Sequence, residues 1–294
     1  MIRLVKTPTY LRKSPPNMKR IACIALVCLH SLCLAEDKIS QGYKLIWADE
    51  FEKAGRPNPA NWVFEQGYQR NKELQWYQEQ NAFCENGRII IEGRKKRIKN
   101  PNYVSGSKDW KTNREYIEYT SACMTTKDLH SWKYGRFEIK AKITSGAGLW
   151  PAIWTLGIEG QWPNNGEVDI LECYHGKILA NACWGTEKPY SPKWKGSNKP
   201  ITSFNDPKWE EKFHVWRMDW DEKEMKLYVD DILLNTVDLT KTLNAKGTPK
   251  NPFQQPHYLL INLAIGGQAA GEPKGTPFPT RYEIDYVRIY QKAK

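Results

Sequence analysis

Between Gly166 and Glu172 the chain reads Gly-Glu-Val-Asp-Ile-Leu-Glu, three acids interleaved with large apolar residues. Such a segment has few ways to fold. Residues two apart in a strand share a face, so Glu167 and Asp169 point one way and Val168 and Ile170 the other. The segment therefore predicts a sheet with one dry face and one acidic face. Glu172 has the wrong parity for the acidic face. One extra residue, a β-bulge near Ile170-Leu171, returns it to the side of Glu167.

The rest of the chain supplies partners for such a strand. From residue 43 onward, short β-rich runs alternate with turn clusters: Arg88 to Glu92, Arg136 to Ile143, Lys226 to Val229, His257 to Leu263 and Tyr282 to Tyr290. The second and last of these alternate cleanly, as strands with one buried face do. Asn86-Gly87 and Asp230-Asp231 sit between such runs and read as hairpin turns. No stretch shows a helical period. An all-β sandwich or jelly roll of two antiparallel sheets is expected. Two polar stretches, Ile98 to Arg114 and Thr186 to Phe204, read as long loops. With no repeat and no linker, one domain is expected over residues 36–294.

Residues 1–35 read as a signal peptide region. Met18-Lys19-Arg20 is basic, Ile21 to Leu34 is apolar apart from His30 and Ser31, and Cys33-Leu34-Ala35 suits cleavage after Ala35. Met18 is an alternative start. An exported protein follows, secreted or periplasmic, with a lipid anchor on Cys28 or Cys33 as the rival reading. No other long apolar run exists, so no membrane span is expected. The same segment explains much of the charge. The chain carries +11, but residues 1–35 hold six cations and no acid, and the remainder carries only +5, mixed in sign. No basic stripe tracks a phosphate backbone, so nucleic acid is not an expected partner. Of the seven cysteines, Cys84, Cys123, Cys173 and Cys183 lie beyond the signal region, without zinc spacing. Free thiols and bridges both suit an exported chain, and a bridge would be Cys173–Cys183. No oligomer signal is visible, and a monomer is expected.

Three carboxylates on one face repel one another, which raises at least one pKa. Glycoside hydrolysis needs such a pair flanking the scissile bond, one carboxyl ionised and one protonated. The surroundings suit a sugar. The chain has 13 Trp, all beyond residue 46, and flat aromatic faces suit the C–H faces of sugar rings. Trp150, Trp154 and Trp162 precede the acids; Tyr174 and Trp184 follow. A carboxylate cluster is also what a hard cation such as calcium binds.

These residues resemble glycoside hydrolase family 16. Glu167-Val168-Asp169-Ile170-Leu171-Glu172 is similar to the bulged form of the family signature. Gly148 to Trp154, Asn71 to Tyr77, Tyr134 to Glu138, Phe213 to Trp220, Asn262 to Gly267 and Tyr282 to Arg288 are similar to further family segments, in the family order. The resemblance implies a jelly roll with an open cleft and retaining hydrolysis of internal β-1,3 or β-1,4 bonds. Glu167 is then the nucleophile, Glu172 the acid/base, and Asp169 the residue between them. It implies Trp150 and Trp154 as sugar platforms, Asn71 and Arg114 as hydroxyl binders, with Glu73 in the same motif, Trp184 on the aglycone side, and Gln268 reaching the cleft. Trp76, Trp216 and Trp220 are expected in the core and His214 in a structural role. Gly87 and Asp285 resemble positions that hold a structural calcium in many relatives, with Glu50 nearby; catalysis needs no cofactor. The sequence departs from many family glucanases at Cys183, where they carry a His. The expected substrate is a β-glucan, β-1,3 or mixed-linkage β-1,3/1,4. A galactan, as for an agarase or porphyranase, is the alternative within the family, and a noncatalytic jelly-roll carbohydrate-binding protein the alternative outside it.

Overall fold

The computed structural model describes residues 42–293, and the fold set out here is that of residues 45–292. The signal region, with Met18, lies outside the described residues. The strands are β1 (Tyr43–Asp49), β2 (Val63–Phe64), β3 (Gln75–Tyr77), β4 (Ala82–Cys84), β5 (Ile89–Lys99), β6 (Tyr116–Ser121), β7 (Cys123–Thr125), β8 (Gly135–Lys142), β9 (Leu149–Gly157), β10 (Glu167–Tyr174), β11 (Lys177–Gly185), β12 (Pro192–Pro200), β13 (His214–Trp220), β14 (Glu224–Val229), β15 (Ile232–Asp238), β16 (His257–Ile265) and β17 (Thr280–Lys292). They form a jelly-roll sandwich. One sheet runs β15-β14-β13-β8-β17-β5-β6-β3, with β4 beside β5. The other has seven strands in the order β12-β11-β10-β9-β16-β7-β2.

Strand parity builds the core between the sheets. In β13, His214, Trp216, Met218 and Trp220 are buried while the residues between them are partly exposed. In β17, Tyr282, Ile284, Val287 and Ile289 point inward, and a register shift between Ile284 and Tyr286 resets the parity at Asp285. From the seven-stranded sheet come Ile153, Val168, Ile170, Leu171, Cys173, Ile178 and Leu259. Strand β16 is buried along its whole length, because one face meets this core and the other lies under the cleft. That accounts for its near-continuous apolar run, His-Tyr-Leu-Leu-Ile-Asn-Leu-Ala-Ile.

One sequence expectation fails here. Thr186 to Phe204 is not a loop throughout, since Pro192 to Pro200 pair with β11 along nine residues. Its composition hides it. As the edge strand of the sheet, β12 bonds one neighbour only and needs no apolar face. Lys193, Lys195 and Lys199, with a proline at each end, are what an edge strand carries to avoid pairing with other chains. His214 is structural, as expected: its ring bonds Asp230 and the Trp209 carbonyl, both at 2.8 Å, and stacks on Trp209.

Candidate active site

The pairing of β10 with its neighbours locates the bulge. Asp169 lies opposite Trp154 and Leu171 opposite Ile153, so Ile170 has no partner on β9. On the other side Asp169 lies opposite Asn181 and Glu172 opposite Leu179, three residues against two. Ile170 and Leu171 both turn into the core and are fully buried. Glu167, Asp169, Glu172 and Tyr174 therefore share the opposite face and line a cleft of about 710 Å³.

Each carboxyl is held by a neutral donor. The Trp162 indole N–H donates to Glu167 Oε2 at 2.6 Å. The Trp150 indole N–H donates to Glu172 Oε1 at 2.9 Å. The Asn181 amide donates to Glu172 Oε2 at 3.0 Å and Asp169 Oδ2 at 3.2 Å. Burial pushes the Glu172 carboxyl up, the charge of Glu167 adds to it, and the result is about 7. Asp169 is buried between two other acids and is raised well above the usual carboxylate range by burial, Glu172 and Glu167. Its proton is accordingly held more tightly than in a free carboxyl, and it shares a hydrogen bond with Glu167. Burial raises Glu167 as well, and the Trp162 and Asp169 hydrogen bonds and the Arg70 charge offset part of that rise. Three crowded, buried carboxyls thus hold their protons more tightly than free ones do, the condition under which one of them can serve as an acid near neutral pH.

The other expected site residues divide. Asn71, Trp150 and Trp154 line the cleft, and so does Glu73, buried and bonded to Gln75 and Asn71. Trp154 is not a free platform. It is 8% exposed, its N–H donates to Asn262, and the Arg70 guanidinium lies 5.1 Å over its ring. Arg114 and Gln268 do not line the cleft. The Arg114 guanidinium donates to the carbonyls of Lys72 and Glu73 at 3.0 and 2.7 Å, and the Gln268 backbone N–H donates to the Asn71 carbonyl at 2.9 Å. Both hold the turn at Asn71 and Lys72, whose φ values of 55° and 52° cost energy that these contacts offset. Gly267 permits the approach, since a Cβ there would lie 2.9 Å from the Asn71 carbonyl oxygen.

Trp184 is the plainest correction. It follows Cys183, which pairs with cleft-facing Glu167, so its own side chain points to the core, 6% exposed and edge-on to Phe253. The aromatic on that side of the cleft is Trp194 of β12, opposite Cys183 and 47% exposed. Sequence reasoning does not find Arg70 or Asn181 as site residues, places Trp194 only within a stretch read as a loop that could reshape specificity, and sees Trp162 only as a flanking aromatic. Strand parity counted from Glu167 finds Asn181 once β10 and β11 are paired; Trp194 requires that β12 be recognised as a strand.

The calcium expectation does not fit the residues present. The Asp285 carboxylate is engaged by the Lys140 ammonium at 2.7 Å, and Glu50 is bidentate with Arg288 at 2.8 and 2.9 Å. A calcium ion there would have to displace cations from both. The cysteine bridge is also corrected. Cys84, Cys123, Cys173 and Cys183 are free and buried. Cys173 pairs with Ile178 and Cys183 with Glu167, at opposite ends of the β10–β11 hairpin.

Comparison with known proteins agrees with this geometry. The family model for glycosyl hydrolases family 16 matches residues 70–288. The chain is 32% identical to a β-glucanase of Rhodothermus marinus, over 96% of this chain and 97% of that one. Among solved structures, the laminarinase catalytic domain of Thermotoga maritima superposes with a TM-score of 0.72 at 34% identity, covering 86% of this chain and 99% of that one. A structure from work on endo-acting O-glycanases with which human gut bacteria initiate mucin breakdown gives 0.77 at 34% identity, covering 85% and 91%.

Proposed function

From the premise that this chain belongs to glycosyl hydrolase family 16, we propose that it is a retaining endo-β-glucanase cutting internal bonds of β-1,3-glucan or mixed-linkage β-1,3/1,4-glucan. The observation that carries the reading is the bulged β10 strand, which sets Glu167, Asp169 and Glu172 on one cleft face with Glu172 raised to about 7. Glu172 gives its proton to the glycosidic oxygen as Glu167 attacks the anomeric carbon, forming a glycosyl ester and releasing the leaving chain. Ester formation removes the Glu167 charge. That charge is one of the causes holding Glu172 near 7, so the Glu172 pKa falls on ester formation. The ionised Glu172 then takes a proton from water, which attacks the ester and frees the sugar with its configuration kept. Asp169 donates to Glu167 and steadies it as nucleophile and as leaving group.

Trp150, Trp162 and Trp194 give the cleft the aromatic walls a neutral glucan needs. A second reading is a galactose-containing chain. It is favoured by the likeness to the O-glycanase structure, by Cys183 in place of the glucanase His, and by the Arg70 cover over Trp154, which replaces a stacking face with hydrogen-bond donors. The protein acts as an exported monomer with one catalytic domain over residues 36–294. The basic and apolar pattern of residues 18–35 supports export, and among the described residues no helix is long and apolar enough to cross a membrane.

The test is product analysis with purified protein on laminarin, barley mixed-linkage glucan, agarose, porphyran and mucin O-glycans. Oligosaccharides from either glucan are expected. Products from a galactan or O-glycans alone would replace the substrate and keep the residues. Binding to a glucan without new reducing ends would put the carbohydrate-binding alternative in place of the enzyme.

A further inference from the structure

Among the described residues, Asn181 is the uncharged polar side chain that touches two of the three carboxyls. Its strand position explains this. It lies opposite Asp169, on the side where the bulge makes three residues of β10 span two of β11, so the same amide also reaches Glu172. The two hydrogens of Nδ2 go to Glu172 Oε2 at 3.0 Å and Asp169 Oδ2 at 3.2 Å. Both bonds run from Nδ2, so the amide oxygen faces away from the carboxyls. Its far side is fixed by a different element. Opposite Asn181 on β12 stands Gly196, and a Cβ there would come 2.7 Å from Asn181 Oδ1. The amide thus sits between a carboxyl pair and a seat that only glycine leaves open.

We propose that Asn181, seated on Gly196, is a positioning residue for the acid/base Glu172, locking its carboxyl plane together with the Trp150 indole and limiting the pH at which it gives up its proton. The proposal rests on the assignment of Glu172 as acid/base. The groups facing Glu172 are Glu167, Asp169 and Tyr174 on its own strand, Trp150 from β9, and Asn181 and Cys183 from β11; from β16, uncharged Asn262 and Ala264 line the same cleft. Arg70 and Glu73 are the charged side chains that line the cleft from outside β10; Trp150 and Asn181 are the neighbours outside β10 whose hydrogen bonds favour the ionised form of Glu172. Removing Asn181 therefore makes the ionised form harder to reach, and the alkaline limit of activity moves up.

The experiment compares Asn181→Ala and Gly196→Ala with the wild type. The second variant keeps every polar group and displaces the amide by its seat alone. Two quantities are read: the pH profile of kcat and KM on whichever polymer the wild type cuts, and the titration of Glu172 by carboxyl 13C NMR. In both variants the alkaline limb and the Glu172 titration should rise by about one pH unit. The kcat at neutral pH should fall roughly tenfold with KM nearly unchanged. An unchanged Glu172 titration in Gly196→Ala, or in a folded Asn181→Ala, would overturn the proposal. So would a rise in KM with no change in pH profile, which would make Asn181 a binding residue. The NMR titration needs no substrate, so its failure is distinct from a wrong choice of polymer.

Discussion

The two faces of β10 are made from eight consecutive residues and obey opposite rules. On the inner face, Val168, Ile170, Leu171 and Cys173 are buried in the hydrophobic core between the sheets. On the outer face, Glu167, Asp169 and Glu172 are crowded together against electrostatics, and indole and amide N–H groups keep them in place. The inner face stabilises the fold by removing apolar surface from water. The outer face stores repulsion that shifts proton affinities toward those the chemistry needs. One strand serves both because the bulge places two successive residues inward, and so brings Glu172 back beside Glu167 and Asp169.

The sharpest test of this division is Glu167→Ala. Turnover should fall by roughly 10³-fold or more, while the melting temperature stays level or rises because one repelling carboxylate is gone. A large loss of stability would mean that the outer face also holds the fold together. Deletion of Ile170 probes the bulge itself. Strand β10 then becomes regular, Asp169 and Glu172 still share a face, and Leu171 still points inward. Activity should survive with a loss of no more than about 100-fold, and stability should drop by about 2–4 kcal/mol for the lost core side chain. Complete inactivity in a folded deletion variant would show that the bulge does more than set parity.

Two tryptophans on neighbouring strands repeat the comparison. Trp184→Ala should cost about 3–5 kcal/mol of stability, read by denaturant unfolding. Trp194→Ala should leave stability unchanged and raise KM roughly 2- to 10-fold. Exchanged outcomes would restore Trp184 to the cleft. The smallest effect is expected from Trp162→Phe, which removes the N–H to Glu167 Oε2 and keeps an aromatic ring at the cleft wall. That bond favours the ionised nucleophile, so its loss raises the Glu167 pKa. The acid limb of kcat/KM should move up by about one pH unit, with the alkaline limb unchanged.

The difference between the faces also explains what the sequence discloses. Parity is written in the order of residues, so the bulge, the shared face of the three acids and the core role of Trp216 and Trp220 are legible from the chain alone. Contacts that depend on pairing between strands are not. Trp184 is misplaced by its sequence neighbours, because its parity is fixed by the pairing of Cys183 with Glu167. Arg114 is a cleft residue by family resemblance alone, yet it acts through the carbonyls of Lys72 and Glu73. Trp194 escapes notice as a site residue because β12 carries the polar composition of an edge strand, Asn181 because its place beside the acids depends on the β10–β11 register, and the seat at Gly196 has no side chain to attract attention.

At the centre stands the claim that Glu167 and Glu172 on the outer face of β10 hydrolyse a β-glucan by double displacement. The most direct test is 1H NMR of the anomeric protons during the first minutes of laminarin hydrolysis by the purified protein. Double displacement predicts new reducing ends that appear first as the β-anomer and then mutarotate. First appearance as the α-anomer, or no cleavage of laminarin or mixed-linkage glucan by folded protein, would contradict it.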